Sequence, residues 1–230
     1  MKNEIIITHV HLETPIVISE NFVQLLILEN PNEFYRMVMD LDSQFDGGDG
    51  LFVFSSNGQV VQAQKSGAMV SDLFHFDLND KKIVNLLYKK LETVAFGDKV
   101  KNFNELTSKT TAFIEDLAYT VPFSVDYNEL QPVDFLKLAG VKFAKAYDSL
   151  EEKLVCYINA LIELKNCDFF VFVNLKSVLS DEKLIKIYEH CRLEQVGLFL
   201  IESGKRDKVL LDCEKAIIIT EDLCEILENY

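Results

Sequence analysis

The feature of the sequence that most restricts its fold is an unbroken apolar run that ends in a polar residue and leads into a helix. Residues 169–173 read FFVFV, Asn174 follows, and an acidic helix start lies near residue 180. A second apolar run, GLFLIE, occupies residues 197–202. Two fully apolar strands joined by one helix predict a parallel pair with a right-handed crossover, buried on both faces.

The rest of the chain divides into two α/β segments that flank a helical one. In the first segment we predict a hairpin from 4–9 and 15–18, a strand at 23–29, a helix at 33–44 capped by Asn32, a hairpin around Asn57-Gly58, a strand near 70–76 and a helix at 80–95. In the middle we predict helices at 104–119, 132–145 and 147–166, and the last segment adds a helix at 180–193 and a strand at 216–220. We therefore predict an α/β core domain, 1–100 and 167–230, with one shared sheet and an inserted helical domain, 101–166.

The predicted sheet is typical of nucleotide-binding folds, but a phosphate-binding loop is not readable. Such a loop needs GxxxxGK[ST] between a strand and a helix, because its glycines let backbone amides approach phosphate. The ending is matched only by Lys65-Ser66, where Gln59 and Gln64 replace the two glycines. The glycine-rich stretch at 46–50 leads into a strand and carries two aspartates, which repel phosphate.

Asn174 stands where a nucleotide hydrolase would hold its metal with a carboxylate. An amide can hydrogen-bond, but it supplies no negative charge for Mg²⁺. We interpret Asn174 as a polar residue that closes a core strand by pairing with loop backbone. A GxSxG nucleophile elbow is also absent from the sequence. We expect no bound nucleotide and no enzyme activity.

The charge and the cysteines restrict the partners and the compartment. A net charge of −14 argues against broad, non-specific nucleic-acid binding, although a local basic surface remains open. The middle segment, 101–166, is the least acidic, with a net charge of −3. The chain has five cysteines without a CxxC pair, no apolar run of membrane length and no signal-peptide pattern. We expect a cytoplasmic protein with reduced, mostly buried thiols.

Lys137, Lys142 and Lys145 form the candidate nucleic-acid site. The predicted helix at 132–145 carries all three, and Lys142 and Lys145 are i,i+3 neighbours on it. Such a strip could bind phosphates, or it could be a solvated helix face. Spacing alone favours the solvated face.

Two groups of residues are candidate metal ligands. Asp126, Glu129 and Asp134 surround the turn into the same helix, and crowded oxygen ligands at a turn suit calcium. EF-hand spacing is absent, and an acidic helix N-terminus explains these residues equally well. His9 and His11 share one face of a predicted strand, where they could bind a metal or lie on a solvated edge.

The order of several segments resembles a known family. YNELQPVDFLKLAGVKF at 127–143, followed by a long helix, FFVFVNLKSVLSDEKLIKIYEH and GLFLIES, resembles the short form of the Csn2 proteins. These are CRISPR-associated, type II-A spacer-acquisition ring proteins. The resemblance covers nearly the whole chain and is strongest from 127 to 202.

The resemblance implies a P-loop-ATPase-like core without ATP binding, plus a helical domain. It implies a non-enzymatic homotetrameric ring whose central hole accepts the ends of double-stranded DNA, acting with the integrase pair and the effector nuclease. Lys137 and Lys142 match lysine positions of the family, and Lys145 is added for its proximity. The alternative is a protein-only scaffold with a degenerate nucleotide-binding fold, which the acidic net charge favours.

The resemblance also implies calcium ions that hold the helical domain in its binding posture. Asp126, Glu129 and Asp134 match acidic positions of the family, and Glu115 and Asp116 could add ligands. The family is acidic just before Tyr127, whereas this chain reads TVPFSVD there. Fewer calcium ions, or none, are therefore expected to bind this chain.

Overall fold

The structure, a computed structural model, describes residues 4–145, 147–204 and 210–229. The chain forms two compact units. We call residues 1–76 and 147–230 the α/β unit and residues 77–146 the helical unit.

The α/β unit contains all of the strands within the described residues. They are β1 (Ile5–Thr8), β2 (Ile16–Ile18), β3 (Val23–Leu28), β4 (Val53–Ser56), β5 (Gln59–Val61), β6 (Gly67–Val70), β7 (Phe169–Val173), β8 (Gly197–Glu202), β9 (Glu214–Ile219) and β10 (Glu225–Glu228). Its helices are α1 (Pro31–Phe45), α2 (Ala63–Ser66), α6 (Leu150–Lys165), α7 (Leu175–Val178) and α8 (Asp181–Leu193). The helical unit consists of α3 (Lys81–Phe96), α4 (Val100–Ala118) and α5 (Pro132–Leu138).

The main sheet has six strands in the order β10-β9-β3-β8-β7-β6. All neighbouring pairs are parallel except β10 with β9. Phe170 lies opposite Leu198 in the β7–β8 pair, so the two apolar runs are adjacent, parallel strands, as predicted. Strands from both ends of the chain share this sheet, which confirms the predicted α/β class.

A second sheet, β2-β1-β4-β5, is built from the two predicted hairpins. Asn57 and Gly58 form the turn between β4 and β5, with φ of 51° and 73°. Positive φ at both positions matches the right-handed twist of the flanking strands, which explains the Asn-Gly pair at this turn.

The main core is unusually rich in phenylalanine. Phe169, Phe170, Phe172 and Phe199 are fully buried on the adjacent strands β7 and β8. Burial of each such side chain contributes roughly 1.5–3 kcal/mol, so these strands contribute strongly to the stability of the α/β unit.

Two local predictions for the α/β unit were wrong. Helix α1 is capped by Asn30, because Pro31 occupies its first turn and the Asn30 side chain accepts the N–H of Asn32. The strand predicted near 70–76 is β6, which begins three residues earlier, at Gly67. Gly67 packs against the ring of Phe169, and a Cβ at this position would lie 2.5 Å from the Phe169 Cζ.

The cysteines are not mostly buried. The buried thiols belong to Cys167 and Cys191, whereas the exposed ones belong to Cys156, Cys213 and Cys224. Burial raises the pKa of Cys191 to about 12, so this thiol stays protonated and unreactive.

In the helical unit, aromatic contacts join the three helices. The ring of Phe103 on α4 lies 5.5 Å from Phe96 and 6.2 Å from Phe135, both edge to face. Helix α5 ends at Leu138, so the predicted helix at 132–145 is wrong in its second half. Gly140 adopts a left-handed φ of 63°, and the N–H of Val141 donates back to the Leu136 carbonyl, which stops the helix.

The two units divide the chain differently from the predicted domains, 1–100, 101–166 and 167–230. Helix α3 packs against α4 and α5 and so belongs to the helical unit. Helix α6 packs against α8 and so belongs to the α/β unit. Periodicity identified both helices but could not show which neighbours they cover.

Candidate nucleic-acid interface

The connection between β3 and α1 is where a P-loop protein would carry its phosphate loop. Strand β3 lies between β8 and β9, parallel to both, and α1 follows it. Only Glu29 and Asn30 separate the strand from the helix. A motif of about eight residues with two glycines is needed to wrap a phosphate, so this connection cannot form one.

The start of α1 is also occupied and acidic. The Asn30 Oδ1 accepts the N–H groups of Asn32 and Glu33, at 3.1 and 3.2 Å. The buried carboxylate of Glu33 contacts Arg36 in the same turn. These backbone donors already have an acceptor, and a carboxylate stands beside them, so an anion has little to gain here.

Asn174 closes β7 by pairing with loop backbone, as interpreted from the sequence. Its N–H donates to the Ile201 carbonyl at 2.7 Å, and its Oδ1 accepts the N–H of Ser203 at 2.9 Å. Its φ of 56° is left-handed, a conformation that asparagine tolerates better than most residues. The amide therefore ties the ends of β7 and β8 together.

His9 and His11 do not form a metal pair on an edge strand. Strand β1 ends at Thr8, and His9 is buried against the ring of Phe52, with ring centroids 4.3 Å apart. The His9 Nδ1 accepts the backbone N–H of His11 at 3.2 Å. Burial, and then the neighbouring His11, lower the pKa of His9, which keeps its ring neutral.

The lysine candidates all lie in the helical unit, one of them on a helix and the other two on a non-helical segment. Lys137 is exposed on the last turn of α5, whereas Lys142 and Lys145 are exposed on the non-helical segment that follows. The i,i+3 helical neighbourhood predicted for Lys142 and Lys145 is therefore wrong. In this segment Lys142 is exposed between the half-buried Val141 and Phe143, so its side chain points away from the unit.

The segment after α5, residues 141–145, is held against α3. The Tyr88 hydroxyl donates to the Val141 carbonyl at 3.0 Å. The Asn79 side chain accepts the N–H of Phe143 at 2.9 Å and donates to its carbonyl at 3.2 Å. These bonds fix the backbone on both sides of Lys142, which gives this lysine a defined position without restraining its charged end.

Lys145 differs from Lys142 in having an acidic neighbour. Its Nζ lies 3.4 Å from the Asp77 carboxylate, and both side chains are substantially exposed. An exposed pair of this kind is weak, but it partly neutralises the lysine. Lys142 therefore presents the stronger local charge of the two.

The charge of the chain is divided unevenly between the two units. Residues 77–146 contain ten lysines and ten carboxylates, so the net charge of −14 belongs entirely to the α/β unit. Within the helical unit, residues 115–134 carry five carboxylates and no lysine, whereas residues 137–145 carry three lysines and no carboxylate. The lysine candidates thus form a local basic segment in a neutral unit.

The predicted calcium ligands are not brought together. The Asp134 carboxylate accepts the Gln131 N–H at 3.0 Å in a capping box, and that of Asp126 accepts the N–H of Tyr127 at 2.9 Å. Glu115 accepts the Tyr127 hydroxyl at 2.8 Å, a bond that raises the pKa of the tyrosine. Among the residues described, no three His, Cys, Asp or Glu side chains meet as the ligands of one metal ion would. The donor set does not fit calcium in this arrangement.

Sequence reasoning missed a buried charged cluster in the α/β unit. The fully buried Glu214 accepts bonds from Lys176 Nζ, the Tyr188 hydroxyl and the Leu211 N–H. Glu202, also buried, accepts the Lys176 N–H at 2.9 Å. No sequence signal connects residues so far apart.

The geometry defines a class of protein before any comparison. The main sheet resembles that of a P-loop ATPase, yet the position of the phosphate loop holds two residues. A family model described as CRISPR-associated protein (Cas_Csn2) matches residues 44–223. This match spans most of the chain, which therefore belongs to the Csn2 family, as its resemblance indicated.

Similar proteins agree with this assignment. The chain is 24% identical over 202 residues to the CRISPR-associated protein Csn2 of Streptococcus agalactiae, covering 83% of this chain and 86% of that protein. It is 21% identical over 194 residues to the Csn2 protein of Enterococcus faecalis, with coverage of 83% and 86%.

Among solved structures, the fold is similar to MJ1267, an ATP-binding cassette of an ABC transporter. The TM-score is 0.51 at 13% sequence identity, covering 100% of this chain and 93% of the cassette. This likeness concerns the fold alone and confirms the predicted P-loop-ATPase-like core. No helix within the described residues is long and apolar enough to cross a membrane.

Proposed function

We propose that this chain is a non-enzymatic protein that binds the ends of double-stranded DNA as a ring of four copies and acts in CRISPR spacer acquisition. The observation that carries the proposal is the basic segment at 137–145, with exposed lysines and no carboxylate, in a unit without net charge. Membership of the Csn2 family supports a role beside other CRISPR proteins, for which we propose the integrase pair and the effector nuclease.

The DNA contact would read the phosphate backbone rather than the bases. Lys137, Lys142 and Lys145 offer point charges on a surface, which suit phosphates and carry no sequence information. Each lysine that neutralises a phosphate releases a counterion, so several copies arranged around one duplex would bind in a salt-dependent way. The acidic α/β unit would repel DNA and restrict it to the basic segments.

The surface of α4 supports association between copies. None of its residues, all of which the structure describes, is buried. Leu106, Phe113 and Leu117 are 47%, 61% and 53% exposed, at spacings that place them on one side of the helix. A second copy of the chain would remove this apolar row from water, which is the expected role of such a patch.

The short Glu29-Asn30 connection and the neutral Asn174 support a role without catalysis. Neither a phosphate loop nor a carboxylate for Mg²⁺ is available at the edge of the sheet where a nucleotide would bind. We therefore propose that the fold serves as a scaffold for the helical unit, and that ATP neither binds nor is hydrolysed.

A gel shift with linear and covalently closed circular duplex of the same sequence tests this function. At low salt, the linear duplex should shift and the closed circle should not, because a ring can load only from an end. Each assay is run with calcium and with a chelator, which tests whether calcium assembles ligands around Asp126, Glu129 and Asp134. Equal binding to both forms would contradict the ring.

The second candidate is a protein-only scaffold, favoured by the net charge of −14. It predicts that no duplex shifts at any salt concentration, although the chain is folded and associates with copies of itself. The same gel shift therefore separates the two functions.

A further inference from the structure

We propose that the DNA-contacting surface continues from Lys142 onto α3, and that Lys81 is a further phosphate-contacting residue. This inference rests on the proposed function and adds a residue that the lysine candidates do not include. It follows from where segment 141–145 lies on α3, from the rows of side chains along that helix, and from the position of Lys81 in its first turn.

Segment 141–145 runs along α3 toward the start of the helix. Its first anchor is Tyr88, which binds the Val141 carbonyl, and its second is Asn79, which binds both backbone groups of Phe143. Asn79 precedes the first residue of α3, whereas Tyr88 lies two turns into it. The side chain of Lys142 therefore leaves the segment between these two levels of the helix.

Lys81 lies on the row of α3 that this segment follows. It precedes Tyr88 by seven residues, so the two side chains differ by only about 20° around the helix axis. Along the axis it lies between the level of Asn79 and that of Tyr88. Lys81 is exposed, as Lys142 is, and helical geometry places Lys81 on the side of α3 that carries segment 141–145.

The stability of α3 does not explain a lysine at this position. Lys81 is the first residue of the helix, and Lys82 follows it. The positive end of the helix dipole disfavours cations in the first turn, where acidic residues are preferred. A glutamate at position 81 should therefore maintain or improve helix stability, and its effect on DNA binding would not come from unfolding.

Lys90 provides a matched control on the same helix. It follows Lys81 by nine residues, which places the two side chains about 180° apart around α3. Lys90 is also exposed. Lys90→Glu therefore makes the same charge change in the same helix, on the side opposite segment 141–145.

The test measures binding of a blunt-ended fluorescent duplex by the full chain over a series of salt concentrations. Wild type is compared with Lys81→Glu, Lys90→Glu and Lys142→Glu, after thermal melting confirms that each variant is folded. We expect Lys81→Glu and Lys142→Glu each to weaken binding severalfold and to reduce the salt slope by about 0.9 for each phosphate that is no longer neutralised. Lys90→Glu should leave the salt slope unchanged.

The outcomes separate this inference from the proposed function. If Lys142→Glu weakens binding while Lys81→Glu behaves like Lys90→Glu, the inference is overturned and the function stands. If all three variants weaken binding equally, only the net charge matters, and the inference is again overturned. If wild type binds no duplex even at low salt, the proposed function itself fails.

Discussion

Lys176 Nζ lies 2.6 Å from both carboxylate oxygens of Glu214, in a pair that is almost completely withdrawn from water. The Glu214 side chain is 0% exposed and that of Lys176 is 12% exposed. The Tyr188 hydroxyl donates to the same carboxylate at 2.9 Å, and its burial raises the pKa of the tyrosine far above its usual value. The pair connects α7 to β9, two elements that are distant in sequence.

Removing the lysine alone should be strongly destabilising. Lys176→Met leaves the Glu214 carboxylate buried without its cation, and such a loss costs about 3–5 kcal/mol. Lys176→Met combined with Glu214→Gln should recover much of this, because glutamine still accepts a bond from Tyr188. Chemical denaturation measures both, with Lys145→Met at the exposed Asp77 pair as the control. A double variant no more stable than Lys176→Met would contradict the explanation.

Acid should destabilise the α/β unit through His9. Burial lowers its pKa in the folded chain, so the unfolded chain binds the proton more readily. The stability that the neutral ring provides is complete above the unfolded pKa of about 6.5 and declines as the pH falls below it. Denaturation at pH 7.5 to 5 should therefore show a shallower decline for His9→Gln than for wild type. His75→Asn, at an exposed turn, is the control. If the stability of His9→Gln and of wild type declined equally with falling pH, His9 would not be the source of the acid sensitivity.

Lys142 should contribute more to DNA affinity than Lys145 does. Lys145 is partly neutralised by Asp77 at 3.4 Å. Lys142→Glu should weaken duplex binding severalfold, and Lys145→Glu should weaken it by less. Asp77→Asn should tighten binding, since it removes the carboxylate that lies beside Lys145. Fluorescence anisotropy at fixed salt ranks the three, and a larger loss for Lys145→Glu would reverse this assignment.

A polar substitution on α4 should weaken association between copies. Phe113→Ser removes a side chain whose burial contributes roughly 1.5–3 kcal/mol at each contact, so the dissociation constant should rise at least tenfold. Light scattering after size exclusion gives the mass as a function of concentration. Leu193→Ser is the control, since Leu193 is 78% exposed and lies on α8 in the other unit. An unchanged mass profile for Phe113→Ser would remove α4 from the interface.

Restoring a carboxylate at the end of β7 should not create a nucleotide site. Asn174→Asp supplies the charge that Mg²⁺ requires, but the start of α1 still lacks a phosphate loop. We expect no change in melting temperature when ATP and Mg²⁺ are added to this variant or to wild type. A stabilisation of either by ATP would contradict the proposal that the chain binds no nucleotide.

The sheet was predictable because its determinants are local. Apolar runs such as 169–173 and 197–202 can be buried on both faces only in a parallel sheet, and an Asn-Gly pair demands a tight hairpin. The prediction near 70–76 missed the start of β6, which is formed by Gly67. Its lack of a side chain is in fact a packing requirement, set by a ring about a hundred residues away.

The candidate lysines were identified from the sequence, but the backbone conformation of Lys142 and Lys145 was predicted wrongly. Gly140 after Leu138-Ala139 is a helix-stop signal that could have corrected the helix predicted at 132–145. The anchoring of segment 141–145 by Asn79 and Tyr88 had no such signal, because those bonds join side chains to backbone more than fifty residues away. The ion pair between Glu214 and Lys176 also joins residues that are distant in sequence, so the sequence did not predict it.

The two-residue connection between β3 and α1 has a consequence for how this protein can evolve. A carboxylate at the end of β7 can arise through a single nucleotide change, as Asn174→Asp illustrates. A phosphate loop cannot, because the chain lacks the residues from which to make one. A phosphate loop here would need an insertion between β3 and α1, inside the core, and the inserted residues would have to adopt the phosphate-binding conformation. Point substitutions alone therefore leave this connection without a phosphate loop.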